Sequence, residues 1–296
     1  RESSGNALSC RIGALLAEWD AAEKLGSPPD SVELRLLAGE IRRADVSIPP
    51  ATGLIRRSDP VSFNVNALAK GYIIDAALDN FGRVDILIHN AGNVRRSPLA
   101  QMSYHDFDAV LDVHLRGAFH VVREAFPQMC SNDYGRIVLT SSIGGLYGNN
   151  EVANYGVAKA GIIGLSNVAA IEGAPSNVKC NVIVPAAVTR MADGLDTSAY
   201  PPMGADLVAP AVGWLAHESC SITGEMLVAI AGRIARAYIA ETPGVYRPSW
   251  TIEDVESHVA QIRDTAGSVM FPAAPDGHAE HIRYSFGMAA RGVTHG

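Results

Sequence analysis

Three residues near the middle of the chain have the types and spacing to do chemistry together: Ser142, Tyr155 and Lys159. Tyr155 and Lys159 are four residues apart, so on a helix they lie on one face. A free phenol ionises at a pH of about 10, and an ammonium group nearby in a partly dry cleft favours the phenolate. Tyr155 could then exchange a proton with a carbonyl or alcohol oxygen, while Ser142 hydrogen-bonds to the same oxygen. The alternative is a solvated helix face, because a Tyr-x-x-x-Lys spacing is short enough to arise by chance.

These residues need a scaffold, and the sequence from residue 82 onward predicts one of alternating strands and helices. Short apolar runs rich in β-branched residues predict buried strands of a parallel sheet, and longer stretches with helical periodicity predict helices. Ser103 is expected to cap the first helix, with Asp106 completing a capping box. The predicted strands cover 83–89, 135–141, 178–184 and 225–232, and the predicted helices cover 103–129, 153–173 and 206–219. This order is typical of an α/β fold with a doubly wound, Rossmann-like parallel sheet, which the last of these strands would close.

The predicted sheet brings the candidate residues to one edge. In such sheets, ligands bind beyond the carboxyl ends of the strands. Asn90, Ser142 and Pro185 each follow a predicted strand. We therefore expect Tyr155 and Lys159, near the start of their helix, to point toward the crevice at the end of the Ser142 strand.

Composition and charge limit the classes of partner. The 296-residue chain has a formal net charge of −7 and no cluster of Lys and Arg, which argues against nucleic acid. No apolar run reaches the roughly 18 residues of a membrane helix and the first residues lack a signal-peptide pattern, so we expect no membrane partner and a cytoplasmic location. The four cysteines form no CxxC pair. His278 and His281 have no third well-spaced ligand, so we expect no metal site.

Three ordered motifs make the chain resemble the short-chain dehydrogenase/reductase family. They are ILIHNAG (86–92), SSIGGLYGNNEVANYGVAK (141–159) and NVIVPAAVTRM (181–191). The closer resemblance is to the (3R)-hydroxyacyl-CoA dehydrogenase domain of peroxisomal-type multifunctional enzymes, through stretches such as VHLRGAFHVVREAFPQM, YGRIVLTSS and GLSNVAAIEG. It covers roughly residues 77–235 and, more weakly, the tail to residue 296.

The resemblance implies a catalytic set and a cofactor site. Ser142, Tyr155 and Lys159 would carry the chemistry, and Lys159 would also hold the nicotinamide ribose. His114 stands where many members have an asparagine that supports the proton relay. Neutral imidazole can also pass a proton, but a buried histidine with a structural role is the alternative. The implied cofactor contacts come from Tyr155, Lys159, the NAG turn and the loop after the third predicted strand, namely Asn90, Ala91, Gly92, Pro185, Val188 and Thr189.

The resemblance also implies an activity and partners. The activity would be hydride transfer between NAD(H), with NADP left open, and a 3-hydroxyacyl thioester or a similar secondary alcohol or ketone. The partners would be this small-molecule substrate and further copies of the chain in a homodimer or homotetramer. The helices predicted at 103–129 and 153–173 are the surfaces that members of the family use for such contacts.

The first quarter of the chain departs from this family. A dinucleotide-binding fold opens with a strand and a glycine-rich turn, yet no G-x-G spacing occurs anywhere in the chain. Residues 1–76 instead predict a foreign α+β segment, which resembles part of the FAD:protein FMN transferases in GNALSCRIGALLAEWD and NVNALAKGYIID. We expect the first strands of the standard sheet to be missing. The strand at 83–89 would then be an exposed edge.

The sequence therefore predicts three parts: a partial flavin-transferase-like segment (1–76), the C-terminal two thirds of a Rossmann domain (77–233) and a C-terminal extension (234–296). The first hypothesis is an oxidoreductase of the short-chain type, with cofactor binding weakened by the missing turn. The alternatives are a remnant of an FMN transferase and a catalytically silent fusion. Binding of NADH would favour the first hypothesis, and transfer of FMN from FAD would favour the second.

Overall fold

The computed structural model describes residues 46–47, 56–57, 74, 77–78, 82–189 and 200–293. The stretches that resemble a flavin transferase lie almost entirely outside these residues, so that resemblance stays a prediction. Within this part of the chain, two short strands, β1 (Val46–Ser47) and β2 (Arg56–Arg57), pair antiparallel.

A five-stranded sheet forms the centre of the described structure. Its strands lie side by side in the same order as along the chain, and the first four are parallel. The strands are β3 (Ile86–His89), β4 (Gly135–Thr140), β5 (Val178–Ala186), β6 (Met226–Ile230) and β7 (Arg233–Ala237). The predicted α/β, Rossmann-like class is confirmed. The prediction that the strand at 225–232 closes the sheet was wrong, because β7 follows it and pairs antiparallel with β6.

Seven α-helices cover the sheet and form the tail. They are α1 (Tyr104–Leu111), α2 (Gly117–Ser131), α3 (Ile143–Tyr147), α4 (Ala153–Gly173), α5 (Ala209–Ala216), α6 (Ile252–Ile262) and α7 (Gly277–Val293), counted over the residues that the structure describes. Apolar side chains of α2 and α4 share one core with Leu87, Ile137 and Val182. Side chains of α5 share a second core with Val138 and Ile183 on the other face. Because residues of a strand alternate between faces, this division is that of a doubly wound sheet.

The predicted helix at 103–129 is interrupted. Ser103 caps α1 by accepting a hydrogen bond from the backbone N–H of Asp106, as expected. A π-helical turn, Asp112–Arg116, then separates α1 from α2, and the backbone N–H of Gly117 bonds to the carbonyl of Asp112, five residues earlier. Such wide turns are rare and are frequently found at functional sites. The turn contains His114, which it buries.

Helix α4 has the predicted bounds and lies against the sheet. The stretch Ala153–Ser176 is long and apolar enough to cross a membrane by length and composition, yet it packs on β5 and contributes Ile162, Ala169 and Ala170 to the core. Burial against the sheet therefore accounts for the apolar side chains on the face of α4 that packs on β5.

Strand β3 lies at the end of the described sheet and pairs there with β4. Leu87 and His89 are buried, whereas Ile86 and Ile88 on the other face are 49% and 47% exposed. Whether another strand pairs with β3 depends on residues before 82, which lie largely outside the described part of the chain, so the predicted exposed edge stays a prediction.

Glycine allows α3 to approach α4 at the point where the candidate site is built. A Cβ added at Gly145 would lie 2.7 Å from the backbone carbon of Lys159, closer than packed atoms come. A Cβ added at Gly144 would lie 3.6 Å from the Tyr155 ring, which is an ordinary contact. The two neighbouring glycines therefore differ in how much room they leave.

We expect Gly145→Ala to lower the free energy of unfolding by about 1–3 kcal/mol, because overpacking against backbone forces α3 away from α4. Gly144→Ala is the matched control and should be neutral or slightly stabilising, since alanine favours a helix over glycine. Urea denaturation of both variants measures the difference. Equal stability of the two variants would show that the close approach at Gly145 does not constrain the fold.

Candidate active site

Ser142 lies where β4 ends and α3 begins. It is the N-cap of α3, with extended backbone, and its hydroxyl accepts a hydrogen bond from the N–H of Gly144 at 3.1 Å. The side chain is half-buried. The capping bond uses one lone pair of the hydroxyl, and the O–H remains as a donor for another group.

Tyr155 and Lys159 lie one turn apart near the start of α4. The Lys159 ammonium lies 5.5 Å from the centre of the Tyr155 ring. It donates to the carbonyl of Thr140, the last residue of β4, at 2.6 Å. The Lys159 side chain is 3% exposed, and this desolvation lowers the pKa of Lys159 from 10.5 to about 8. The ammonium therefore still carries its proton at pH 7.

Gly144 lies between the Ser142 hydroxyl and the Tyr155 ring. The Cβ position of Gly144 is 3.7 Å from the Ser142 oxygen and 3.6 Å from the ring. Since that position is empty, Ser142 and Tyr155 border one small space. The structure thus brings together Ser142, Tyr155 and Lys159 at the carboxyl end of β4.

His114 joins this group from the π-helical turn. Its ring lies edge-on to the Tyr155 ring, with 5.2 Å between centroids. Its Nε2 lies 3.0 Å from the backbone N and 2.8 Å from the backbone O of Asn93, so the tautomer decides which of the two bonds forms. His114 thus contacts both the loop after β3 and the Tyr155 ring. Its proposed relay role stays a prediction.

The NAG turn follows β3, and Asn90 and Ala91 are exposed. Gly92 packs against His114, because a Cβ at Gly92 would lie 2.5 Å from the imidazole Cε1. This glycine therefore allows the turn to approach the histidine. Its role as a direct cofactor contact stays a prediction.

The loop after β5 carries the remaining predicted cofactor residues. Pro185 belongs to β5, opposite Ala229 of β6. The N–H of Val188 donates to the carbonyl of Met203 at 2.7 Å, and the side chains of Val188 and Thr189 are exposed. Thr189 is the last residue before 190–199, which lie outside the described part of the chain.

Two buried residues beside the site were missed in the sequence. The Ser141 hydroxyl donates to the carbonyl of Lys159 at 2.7 Å and so ties the end of β4 to α4. Asn154, directly before Tyr155, is 0% exposed and forms three hydrogen bonds. A signal for Asn154 did exist. The predicted helix at 153–173 starts after Val152, which has no side-chain oxygen to cap it.

The Lys159 ammonium fits the ribose of a nicotinamide nucleotide. An ammonium has three N–H donors, and the Thr140 carbonyl is the one acceptor bonded to it among the described residues. The other two donors are the ones that ribose hydroxyl groups would use. For the adenosine half of a dinucleotide, the described residues offer no glycine-rich turn.

Comparisons with known proteins show which family the chain resembles. Residues 61–198 match the family model for short chain dehydrogenases, a match that starts inside the predicted segment 1–76. The chain is 44% identical over 198 residues to the peroxisomal multifunctional enzyme type 2 of Drosophila melanogaster. This match covers 65% of this chain and 33% of that enzyme. The chain also matches the solved full-length structure of that enzyme, with a TM-score of 0.61 and 32% identity. This match covers 84% of this chain and 43% of the chain in that structure.

A shorter relative is matched over most of its length. The chain is 32% identical over 207 residues to the 3-oxoacyl-[acyl-carrier-protein] reductase FabG of Thermotoga maritima, a match covering 65% of this chain and 84% of that protein. The chain thus spans about a third of the multifunctional relative but most of the Thermotoga reductase. We conclude that the chain belongs to the short-chain dehydrogenase/reductase family, a family of oxidoreductases that generally use NAD(P)(H).

Proposed function

We propose that the chain transfers a hydride between NAD(H) and a 3-hydroxyacyl thioester or a similar secondary alcohol or ketone. The observation that carries the proposal is the convergence of the Tyr155 ring, the buried Lys159 ammonium and the Ser142 hydroxyl at the carboxyl end of β4. These groups suit proton exchange with one substrate oxygen.

Each residue has a distinct part in the proposed reaction. In the direction of reduction, the Tyr155 hydroxyl donates its proton to the carbonyl oxygen as the carbon is reduced, and in oxidation it takes that proton back. The Ser142 O–H donates to the same oxygen and orients the substrate. The Lys159 ammonium stabilises the phenolate that Tyr155 becomes after proton donation. Its burial strengthens that interaction, because the crevice has a lower effective dielectric constant than water.

The cofactor assignment rests on the nicotinamide side of the site. A bound NAD(H) supplies the hydride acceptor or donor. Lys159 would hold the ribose hydroxyls, and the loop with Pro185, Val188 and Thr189 would border the nicotinamide. Assays with both NADH and NADPH are needed to choose between the two nucleotides.

The substrate class follows the chemistry in the names of the relatives. The Thermotoga protein is a 3-oxoacyl-[acyl-carrier-protein] reductase, so its substrate has a ketone at the third carbon of a thioester. We extend that class to this chain because the chain covers 84% of that relative. The hydroxyacyl-CoA form of the substrate remains part of the proposal.

Self-association through the long helices is also part of the proposal. Phe119 on α2 and Val157, Val168 and Ile171 on α4 are apolar and exposed. Their burial between two copies would remove this surface from water. Sedimentation of the purified chain measures the size of the resulting oligomer.

The role of Tyr155 can be tested with acetoacetyl-CoA, a short 3-oxoacyl thioester, by following the absorbance of NADH or NADPH. Tyr155→Phe removes only the hydroxyl, and we expect the turnover rate to fall by roughly 10²- to 10⁴-fold, as for a lost general acid. Tyr147→Phe is the matched control, because Tyr147 lies in α3 and is 82% exposed. It should keep the wild-type rate. A wild-type chain inactive with both nucleotides, or an active Tyr155→Phe variant, would overturn the proposal.

Burial of Lys159 predicts a pH dependence of stability. Its pKa is about 8 in the folded chain and 10.5 as its ordinary value, so between these pH values the unfolded chain binds more protons at this site. Stability contributed by this residue therefore rises with pH through that window and is lowest below about pH 8. Lys159→Met removes the titration. Between pH 7.5 and pH 9.5, the unfolding free energy of the wild type should therefore rise relative to that of Lys159→Met. Urea denaturation of both proteins measures this difference, and a difference that does not change with pH would exclude the burial effect.

A further inference from the structure

The start of α4 has no cap at its usual position. The first turn of a helix leaves backbone N–H groups without helical partners, and an N-cap side chain normally accepts one of them. The N-cap of α4 is Val152, which forms no side-chain cap. Instead, the Asn154 Oδ1 accepts the N–H of Tyr155 at 2.7 Å. The partner of the Tyr155 backbone is therefore supplied from within the helix.

The other end of the same amide reaches two different segments. Asn154 Nδ2 donates to the carbonyl of Arg95 and to the carbonyl of Asp106, both at 3.1 Å. Arg95 lies in the loop between the NAG turn and α1, and Asp106 lies in the first turn of α1. Asn154 is 0% exposed, so both N–H groups and the oxygen are used within the protein. One side chain thus connects three segments around Tyr155.

Further contacts hold the same loop, residues 93–98, against the site. The backbone of Asn93 contacts His114 Nε2, and the N–H of Ser97 donates to the carbonyl of Glu151 at 2.9 Å. The Arg95 guanidinium pairs with the Asp106 carboxylate at 2.6 Å and lowers the pKa of that carboxyl. The loop is therefore fixed at its start, middle and end, and Asn154 forms the middle attachment.

We propose that Asn154 is a positioning residue, which fixes the Tyr155 ring relative to the loop 93–98 and so sets the geometry of proton transfer. The inference rests on the proposed function, since it assigns Asn154 an effect on the reaction of Tyr155. Asn154 acts through the Tyr155 backbone and the loop, not through the substrate. Catalysis depends on such placement, because small displacements of a reacting group reduce the rate strongly.

The chain contains a matched control for a buried, bridging asparagine. Asn181 in β5 is also 0% exposed, and its amide donates to the carbonyl of Ile222 at 2.9 Å and accepts the N–H of Glu225 at 3.1 Å. It alternates along β5 with Cys180 and Val182, which face α4, so it lies on the opposite face of the sheet. Loss of its side chain should cost stability without displacing Tyr155.

The test compares Asn154→Ala with Asn181→Ala in the full chain, using acetoacetyl-CoA and the active nucleotide at a temperature where both variants are folded. We expect Asn154→Ala to lower kcat by roughly 10- to 100-fold with little change in the KM for the nucleotide, because Tyr155 is displaced while Lys159 stays in place. Asn181→Ala should keep the wild-type kcat. Equal losses of kcat in the two variants, or a change confined to the nucleotide KM, would overturn the role of Asn154.

A second variant keeps the size of the Asn154 side chain and its acceptor for the Tyr155 N–H. Asn154→Asp retains an oxygen for the Tyr155 N–H, but both donors are lost and a carboxylate oxygen faces the carbonyls of Arg95 and Asp106. We expect faster amide hydrogen exchange in the peptide 93–98, read by mass spectrometry, and unchanged exchange there in Asn181→Asp. Unchanged exchange in Asn154→Asp would contradict the attachment. An inactive wild type counts against the proposed function, whereas an active wild type with these failures counts against Asn154 alone.

Discussion

The buried ammonium of Lys159 is the interaction on which the rest of the site depends. A charge at this depth is costly unless it is hydrogen-bonded, and the Thr140 carbonyl at the end of β4 meets that need. This bond places α4 relative to β4. The hydroxyl of Ser141 reinforces it by bonding to the Lys159 carbonyl, and the bare Gly145 lets α3 close over the same point. Strand, short helix and long helix therefore meet at one residue.

Much of this arrangement is readable from the sequence. The bounds of α4, the order of the parallel strands and the convergence of Ser142, Tyr155 and Lys159 follow from local patterns, because helical spacing and strand ends fix where side chains point. The capping box of α6 is likewise visible, since Thr251 and Asp254 have the spacing and exchange both bonds in the structure. These features depend on neighbours close in sequence.

Features that depend on distant neighbours were not readable in the same way. The π-helical turn forms where His114 meets Asn93 and Tyr155, and neither partner is near it along the chain. Strand β7 was missed because Arg233 and Arg236 make the run after Gly232 resemble a loop, although an edge strand tolerates such charges. The bonds of Asn154 span up to 59 residues, so only its position at an uncapped helix start hinted at them.

The π-helical turn at Asp112–Arg116 has a consequence for how this segment tolerates insertions and deletions. Such a turn holds one residue more than an α-helical turn of the same length. Deleting one residue there would let α1 and α2 merge into one regular helix whose flanking turns keep their present faces, and the widened backbone that carries His114 would be lost. Substitutions in this turn leave its number of residues unchanged. Changes in length at this point, more than changes in side-chain type, would separate the histidine from the tyrosine it now touches.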